Sequence, residues 1–357
     1  MQCSRPNAAV ETNDERLSLL HLLDPTVIAN PYWLYRALRD RDRVYWDPYM
    51  HAWVVTGYEE VVMVLMNYSA DRAPAPDHLD RLGLTFMKPF AEMMRQQMLF
   101  MDAPMHARLR SICSAAFTPQ RVARMRKEIE SIADKLIDKV IRSGHMDMIA
   151  DFAKPFPAIV TATMLGVPAE DHEQLGAWVI DLGEVLGNFQ HHPDRVAEIV
   201  ESLEDFKSYV AARMAEQRSY PTGGLIGALM TAEVDGHRLS DEEVIANTII
   251  TLIGGHETTT NLIASGFLTL LREPERLEQL RNRPEIIDSA IEELLRFESP
   301  VQHTARIAPA ECGPDIPCAT TLTDRSGGAV RKSQSPFAIP RLIATKNRFG
   351  RMSTGNM

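Results

Sequence analysis

The stretch from Ser240 to Leu271 constrains the fold of this chain more than any other part of its sequence. Glu243 stands three positions after Ser240 and acids fill the first turn, which is the pattern of a helix-capping box. Apolar residues then point to all sides, as in a buried helix, up to the stop at Pro274. At about 1.5 Å per residue such a helix spans on the order of 45 Å. The sequence therefore predicts a long central helix over residues 240–272 that crosses a whole domain.

The middle of this predicted helix contains unfavourable residues, Gly254-Gly255-His256-Glu257-Thr258-Thr259-Thr260. Glycine and threonine are poor helix formers, and a threonine hydroxyl can bond back to a carbonyl one turn earlier. Glu257 places a carboxylate in an apolar run, where it needs a partner or a proton. This pattern indicates either a functional site or a glycine packing contact beside a solvent-facing Glu257. A membrane span is disfavoured by His256 and Glu257 at the centre.

Composition bounds the class of protein. The 357 residues suffice for one large domain or two, and 45% hydrophobic with 24% charged residues is ordinary for a globular protein. The net charge of −10 argues against nucleic-acid binding. Four cysteines are too few for a disulfide framework, which favours a cytoplasmic location. Residues 1–23 lack a long apolar core, so we expect neither a secretion signal nor a membrane anchor there.

The remaining pattern predicts a mainly α-helical chain with minor β structure. The aromatic and β-branched runs on both sides of Asp47-Pro48 predict a hairpin, and 301–307 predicts a strand. Residues 74–83 have a loop-like composition, and Asp102 is a candidate helix cap. Apolar periodicity predicts helices over 31–39, 58–67, 102–117, 119–140, 148–165, 169–186, 196–217, 223–230 and 284–297.

Two pairs of side chains share a helix face. His106 and Arg110 stand four positions apart, and Glu293 and Arg296 stand three apart in the order that favours pairing. Apolar neighbours of the second pair suggest partial burial, where loss of one partner would cost several kcal/mol.

Basic residues concentrate in one region of an otherwise acidic chain: Arg108, Arg121, Arg124, Arg126 and Lys127. Such a run is most often a solvated face, and the alternative is a docking patch for an acidic protein.

Three motifs occur together in a fixed order: Met101-Asp102-Ala103-Pro104-Met105-His106-Ala107-Arg108-Leu109-Arg110, Gly254-Gly255-His256-Glu257-Thr258-Thr259, and Glu293-Leu294-Leu295-Arg296. His303-Thr304-Ala305-Arg306 follows them. With this order the chain, from about residue 31 to about 308, resembles the soluble bacterial cytochrome P450 family of haem-thiolate monooxygenases.

The resemblance implies an incomplete cytochrome P450 fold and a role for each motif residue. Glu257 and Thr258 would be catalytic and relay protons to dioxygen, while bulk water is excluded. Gly254 and Gly255 would form the oxygen groove. The residues that would bind the haem propionates are His106, Arg110 and Arg306. Glu293 and Arg296 would be a structural ion pair.

The same resemblance implies haem as cofactor, a ferredoxin-type electron donor and a small apolar substrate, for example a terpenoid. Residues 74–83 and 178–189 would shape the substrate pocket, and the basic residues near His106 would face the electron donor.

The motif that supplies the iron ligand is missing. In this family a cysteine in a Phe-Gly-x-Gly-x-His-x-Cys-x-Gly loop holds the haem iron, and its thiolate favours O–O cleavage. No segment after Arg306 matches, and Cys312 and Cys318 come too early and lack the glycines. Cys113 is best interpreted as a small buried residue. No metal ligand is therefore assigned.

The composition also changes at about Pro309. Basic residues outnumber acidic ones from there on, and Ser, Thr, Gly and Pro replace the apolar periodicity. We expect an N-terminal extension over 1–23, an incomplete cytochrome P450-like domain over 24–308, and a disordered tail over 309–357 that reflects a truncated or frameshifted gene.

The sequence supports two candidate functions. The first is a cytochrome P450 monooxygenase by descent, whose present chain is an inactive copy with weak or no haem binding. The second is a non-catalytic helical protein that binds a lipophilic ligand or a protein partner. An unrelated helical regulator would require the motifs to coincide by chance.

Overall fold

The computed structural model describes residues 17–186, 195–221, 223–308 and 341–345. Most of the predicted extension 1–23 and most of the predicted tail 309–357 therefore lie outside the described residues. The same holds for the end of the predicted pocket segment 178–189 and for Cys3, Cys312 and Cys318.

Helices make up most of the described chain, as the sequence predicts. Helices α1 to α14 are, in order, Pro25–Ile28, Tyr32–Arg41, Tyr58–Asn67, Pro76–Arg81, Lys88–Arg95, Met105–Ala116, Pro119–Ile141, Pro155–Leu165, His172–Leu186, Val196–Ser219, Leu225–Thr231, Asp241–Arg272, Pro274–Asn282 and Ile287–Phe297. A π-helical turn, Met148–Ala153, precedes α8. The predicted fold class, mainly α with minor β, is confirmed.

A four-stranded mixed sheet supplies the β structure, in the order β1-β2-β4-β3. Its strands are β1 Val44–Asp47, β2 Ala52–Val55, β3 His303–Ile307 and β4 Arg341–Thr345. β1 and β2 form the predicted antiparallel hairpin, β4 runs parallel to β2, and β3 runs antiparallel to β4. The strand β4 lies inside the segment predicted to be disordered, so these five residues correct that prediction. A run of Leu, Ile and Ala within 341–345 is enough to add one strand to a sheet.

The chain divides into two compact units. The sheet unit comprises residues up to Tyr68 and from His303 onward, and the helical unit comprises Ser69–Gln302. In the sheet unit a small apolar core joins Val44 and Val55 to Val64 of α3.

The helical unit is built around α12, the predicted central helix. Helices α8, α9, α10 and α11 pack against it and bury its side chains almost continuously from Glu243 to His256. Beyond His256 only Gly266 is buried within the described chain, and Phe267, Leu268 and Leu271 are exposed. The prediction of a helix buried on most faces therefore holds for the first half of α12 and is wrong for the second half, which those four helices do not cover.

Two local predictions need correction. Residues 74–83 are not simply a loop, because Pro76–Arg81 form α4 with a proline at its first position. Asp102 does not cap α6. Its carboxylate accepts hydrogen bonds from the Ser69 hydroxyl and, at 2.8 Å, from the Ala70 amide. Helices α1, α5 and α13 were not predicted.

One described stretch, Met148–Leu165, is long and apolar enough to cross a membrane by length and composition. Core helices pass the same test, and this stretch packs against α7 and α12.

Candidate functional site

The start of α12 is fixed by the predicted capping box. The Ser240 amide donates to Glu243 Oε2 at 3.0 Å, and the Glu243 amide donates to Ser240 Oγ at 3.2 Å. These two bonds satisfy amides that a helix N-terminus leaves unpaired. The helix then continues without interruption through the glycine and threonine segment to Arg272.

The two central glycines face different surroundings. A Cβ on Gly255 would lie 2.8 Å from Thr161 Cγ2 of α8, so this glycine permits close helix packing. A Cβ on Gly254 would meet no described atom within 4 Å. The packing-contact alternative from the sequence therefore applies to Gly255, whereas Gly254 lies on an open face, whose role in a functional site stays a prediction.

An exposed strip runs along that open face. Gly254, Glu257, Thr258 and Asn261 are spaced three and four apart, so they share one side of α12. Thr258 Oγ1 donates to the Gly254 carbonyl at 2.5 Å, the back-bond that the sequence predicts. Glu257 is exposed in the described chain. This exposure agrees with the solvent-facing alternative for Glu257, and its physical reason is that Glu257 points away from α8.

The Glu257 carboxylate approaches another helix. Its Oε2 atom lies 2.8 Å from the position that a Cβ on Gly183 of α9 would occupy. Gly183 therefore provides room for the acid. The strip brings together a carboxylate, a hydroxyl and a backbone carbonyl, a set of groups that can hold and transfer protons.

His256 lies on the opposite side of α12 and is buried. Burial lowers the pKa of its imidazole, and a hydrogen bond with the Lys154 backbone opposes this shift. The ring is therefore neutral at pH 7 and belongs to the packed core.

His106 and Arg110 share one face of α6, as predicted, with His106 half-buried and Arg110 exposed. Arg108 points elsewhere, because two residues along a helix correspond to about 200° of rotation. Its guanidinium forms an ion pair with Glu243 of α12. Arg108 therefore does not contribute a free charge to the predicted basic docking patch.

Asn247 is a buried polar residue whose structural role sequence reasoning missed. Its side chain is buried, donates to the Gln96 carbonyl at 2.8 Å and accepts from the Met98 amide at 3.1 Å. It also donates to the Glu243 carbonyl at 2.8 Å. An asparagine inside the apolar run of α12 was the available signal, since a buried amide needs partners.

Arg306 lies on β3 in the sheet unit. Its guanidinium donates to Thr304 Oγ1 at 3.3 Å and to the Ala305 carbonyl at 2.8 Å. Its role toward a propionate stays a prediction.

Glu293 and Arg296 of α14 form the predicted ion pair. Two hydrogen bonds of 2.6 Å each join the guanidinium to the carboxylate, and they lower the pKa of Glu293. The side chains are 59% and 38% exposed, respectively, which corrects the expectation of partial burial. Within the described chain, the apolar neighbours lie on a face of α14 that is only half covered.

Cys113 is the cysteine that the structure describes, and it is buried in α6, as the sequence predicts. Burial raises the pKa of its thiol to about 11, so it is not a thiolate at neutral pH. The described residues contain no group of three or more His, Cys, Asp or Glu side chains that could hold a metal ion.

These features define a mainly helical protein in which one long helix carries an open acid–hydroxyl strip, and comparisons with known proteins identify its class. The family model described as cytochrome P450 matches residues 48–289. The biotin biosynthesis cytochrome P450 of Bacillus subtilis (strain 168) is 34% identical over 327 residues, which cover 88% of this chain and 79% of the relative. The polyketide biosynthesis cytochrome P450 PksS of the same organism is 33% identical over 255 residues, which cover 70% of this chain and 60% of the relative.

A solved structure agrees in fold. The crystal structure of P450BioI in complex with acyl carrier protein ligated to hexadec-9Z-enoic acid matches with a TM-score of 0.75 and 29% identity, covering 90% of this chain and 77% of that one. The chain therefore belongs to the cytochrome P450 family, and the predicted family and fold are confirmed. It spans 79% of the first relative but only 60% to 64% of the length of four others.

Members of this family bind haem. The described residues fit the propionate side of that group, because His106 and the exposed Arg110 present two donors for carboxylates from one face of α6. They do not fit the iron, because the described cysteine is buried and protonated.

Proposed function

We propose that this chain carries the oxygen-side half of a monooxygenase that oxidises a small apolar molecule. The observation that carries this proposal is the exposed strip on α12, where Gly254 leaves open space beside Glu257 and Thr258. Haem, when bound, supplies the activation of dioxygen. The open space takes the diatomic molecule, and the acid and hydroxyl lie next to it.

Proton transfer along the strip assigns separate roles to the two side chains. Glu257 is exposed and exchanges protons with solvent. Thr258 Oγ1 is held by the Gly254 carbonyl, so its hydroxyl is oriented along the strip and passes the proton on. Gly255 contributes the close approach of α8 that keeps this part of α12 in place.

His106 and Arg110 bind a haem propionate. For Arg306, a propionate-binding role is proposed on the resemblance alone. The first two residues lie on one face of α6, and Arg110 is exposed and available. Arginine suits this role since its planar guanidinium can contact a carboxylate with two hydrogen bonds. Glu293 and Arg296 keep a structural role.

The substrate class is supported by the relatives. Their names refer to biotin biosynthesis, polyketide biosynthesis and a steroid monooxygenase, and one solved relative is in complex with an acyl carrier protein. The steroid and the hexadec-9Z-enoic acid named there are lipophilic molecules of different size. We therefore propose a lipophilic substrate, of which a terpenoid is one example.

Electrons come from a ferredoxin-type protein that docks on α7. Arg124, Arg126 and Lys127 are exposed there, whereas Arg121 is half-buried and donates to the Ala116 carbonyl. Arg126 lies 3.8 Å from Glu130, a weak exposed contact. A small basic surface of this kind accelerates association with an acidic partner.

The chain as it stands does not turn over, because its 357 residues contain no Phe-Gly-x-Gly-x-His-x-Cys-x-Gly segment. The test compares the parent chain with a chimera in which the residues after Ala308 are replaced by the matching part of the Bacillus subtilis relative. We expect the red-shifted ferrous–carbon monoxide band of a thiolate-ligated haem in the chimera and not in the parent. A red-shifted band in the parent would contradict the proposed inactivity.

The chimera also tests the strip. Thr258→Ala should keep reductant consumption but release hydrogen peroxide in place of product, and Glu257→Gln should slow product formation. Thr260→Ala is the matched control, because the Thr260 hydroxyl donates to the His256 carbonyl away from the strip. Equal effects of all three changes would overturn the assignment. A folded chimera that binds a lipophilic ligand but no haem would favour the non-catalytic alternative.

A further inference from the structure

We propose that Glu243 and Arg108 are positioning residues for the porphyrin carboxylates, because their ion pair fixes the rotation of α6 and thereby the direction of His106 and Arg110. This inference rests on the proposed function, since it assumes that His106 and Arg110 bind a propionate. Neither Glu243 nor Arg108 contacts the porphyrin itself.

The ion pair is shielded from solvent. The Arg108 and Glu243 side chains are only 25% and 10% exposed, and a second contact joins Nη1 to Oε2 at 3.4 Å. A shielded pair of this kind is little screened by salt, and loss of one partner leaves the other without compensation.

Glu243 is itself held rigidly. Its carboxylate also accepts the Ser240 amide in the capping box, and its carbonyl accepts from Asn247. Since Asn247 in turn holds Gln96 and Met98, the carboxylate that receives Arg108 has a fixed place at the start of α12.

Because α6 is a rigid helix, the ion pair at Arg108 also affects the opposite face of α6. Arg108 lies at one end of the inward face that continues with Ile112 and Ala116 at four-residue steps. His106 and Arg110 stand two positions before and after Arg108, about 200° away. The ion pair at Arg108 therefore sets the direction of the opposite face. Without it, α6 is held by its apolar face and, at its C-terminal end, by the hydrogen bond from Arg121 to the Ala116 carbonyl, and apolar contacts define rotation less sharply.

The test measures binding of two porphyrins, haemin and haemin dimethyl ester, to the chain. The ester lacks the carboxylate charges, so the ratio of the two dissociation constants reports propionate recognition and not general porphyrin affinity. We expect the parent chain to prefer haemin. Arg108→Met and Glu243→Gln should each reduce that preference by roughly tenfold, the size of one charge-assisted hydrogen bond.

Control variants separate positioning from stability. Arg218→Met removes an exposed ion pair with Asp241, also at the start of α12 but not with α6, and should leave the ratio unchanged. Arg108→Lys keeps the charge and should restore most of the preference. Glu243→Gln keeps an acceptor for the capping box, so it remains folded if Arg108→Met does not.

Each outcome decides between the proposals. Equal weakening of both porphyrins by Arg108→Met indicates a structural role and overturns the inference. If His106→Gln or Arg110→Met abolishes the preference while Arg108→Met and Glu243→Gln do not, the inference fails and the proposed propionate site stands. A parent chain that does not distinguish the two porphyrins overturns both.

Discussion

Gly255 of α12 lies directly against Thr161 of α8: a Cβ at position 255 would stand 2.8 Å from Thr161 Cγ2. Thr161 cannot move away easily, because it is β-branched and its hydroxyl donates to the Pro157 carbonyl at 2.7 Å. The neighbouring Gly254 has open space on its side of the helix. One glycine pair therefore permits close packing on one face of α12 and leaves open space on the other.

Gly255→Ala should destabilise the helical unit. Its methyl group forces α8 and α12 apart, and overpacking of this kind costs about 1–3 kcal/mol. Gly254→Ala is the matched control, since both substitutions gain the same helix propensity and only the first meets a clash. The difference in the free energy of unfolding between the two variants measures the clash.

Thr161→Ser combined with Gly255→Ala should recover much of the loss, because serine lacks the methyl group that the new Cβ meets. Equal stabilities for Gly254→Ala and Gly255→Ala would contradict this account of the helix contact.

Asn247→Ala should leave two part-buried backbone groups without the hydrogen bonds that Asn247 makes to them, the Gln96 carbonyl and the Met98 amide. A hydrogen bond of this kind contributes about 1 kcal/mol to stability. Hydrogen exchange should therefore show lost protection at Met98, together with a lower free energy of unfolding. Asn261→Ala, on the exposed strip of the same helix, should change neither quantity. Unchanged protection of Met98 in Asn247→Ala would rule out the bridging role.

The parts of the fold that local chemistry determines could be predicted from the sequence. Ser240 and Glu243 predict the start of α12, and the aromatic and β-branched runs around Asp47 predict the hairpin. Each of these signals depends on residues only a few positions apart. The motif spacing alone indicated the family. Predicting these features does not require knowing which distant residues they contact in the folded chain.

Features that depend on distant residues could not be predicted. Whether Gly254 or Gly255 packs depends on Thr161 in another helix, and Arg108 finds its partner Glu243 far along the chain. The strand β4 forms because it pairs by hydrogen bonds with β2 on one side and with β3 on the other. The exposure of Glu257 depends on which helices pack against α12, and hydrophobic periodicity does not reveal this packing.

His256 should make stability fall as the pH drops. Burial holds its folded-state pKa below the ordinary value of about 6.5, so the unfolded chain binds the proton more readily. This contribution is complete above that ordinary value and is lost as the pH falls below it toward the folded-state pKa. Lys154, beside the ring, adds repulsion against the charged form.

The measurement is the free energy of unfolding of the parent and of His256→Gln between pH 7.5 and pH 5 (about the range over which histidine titrates). The parent should lose stability more steeply than the variant. His237→Gln, at an exposed turn, is the control and should follow the parent. Parallel curves for the parent and His256→Gln would show that burial of this ring has no such effect.

The Glu293–Arg296 pair should contribute little to stability, in contrast to the several kcal/mol that partial burial would imply. Its side chains are 59% and 38% exposed, and exposed pairs are worth about 0–1 kcal/mol. A double-mutant cycle with Glu293→Ala and Arg296→Ala should therefore give a small coupling energy that decreases further in high salt. The residual coupling should also fall under acid conditions, because the paired carboxylate has a lowered pKa and loses its charge only there. A coupling of several kcal/mol that salt does not reduce would show that the pair is buried in solution.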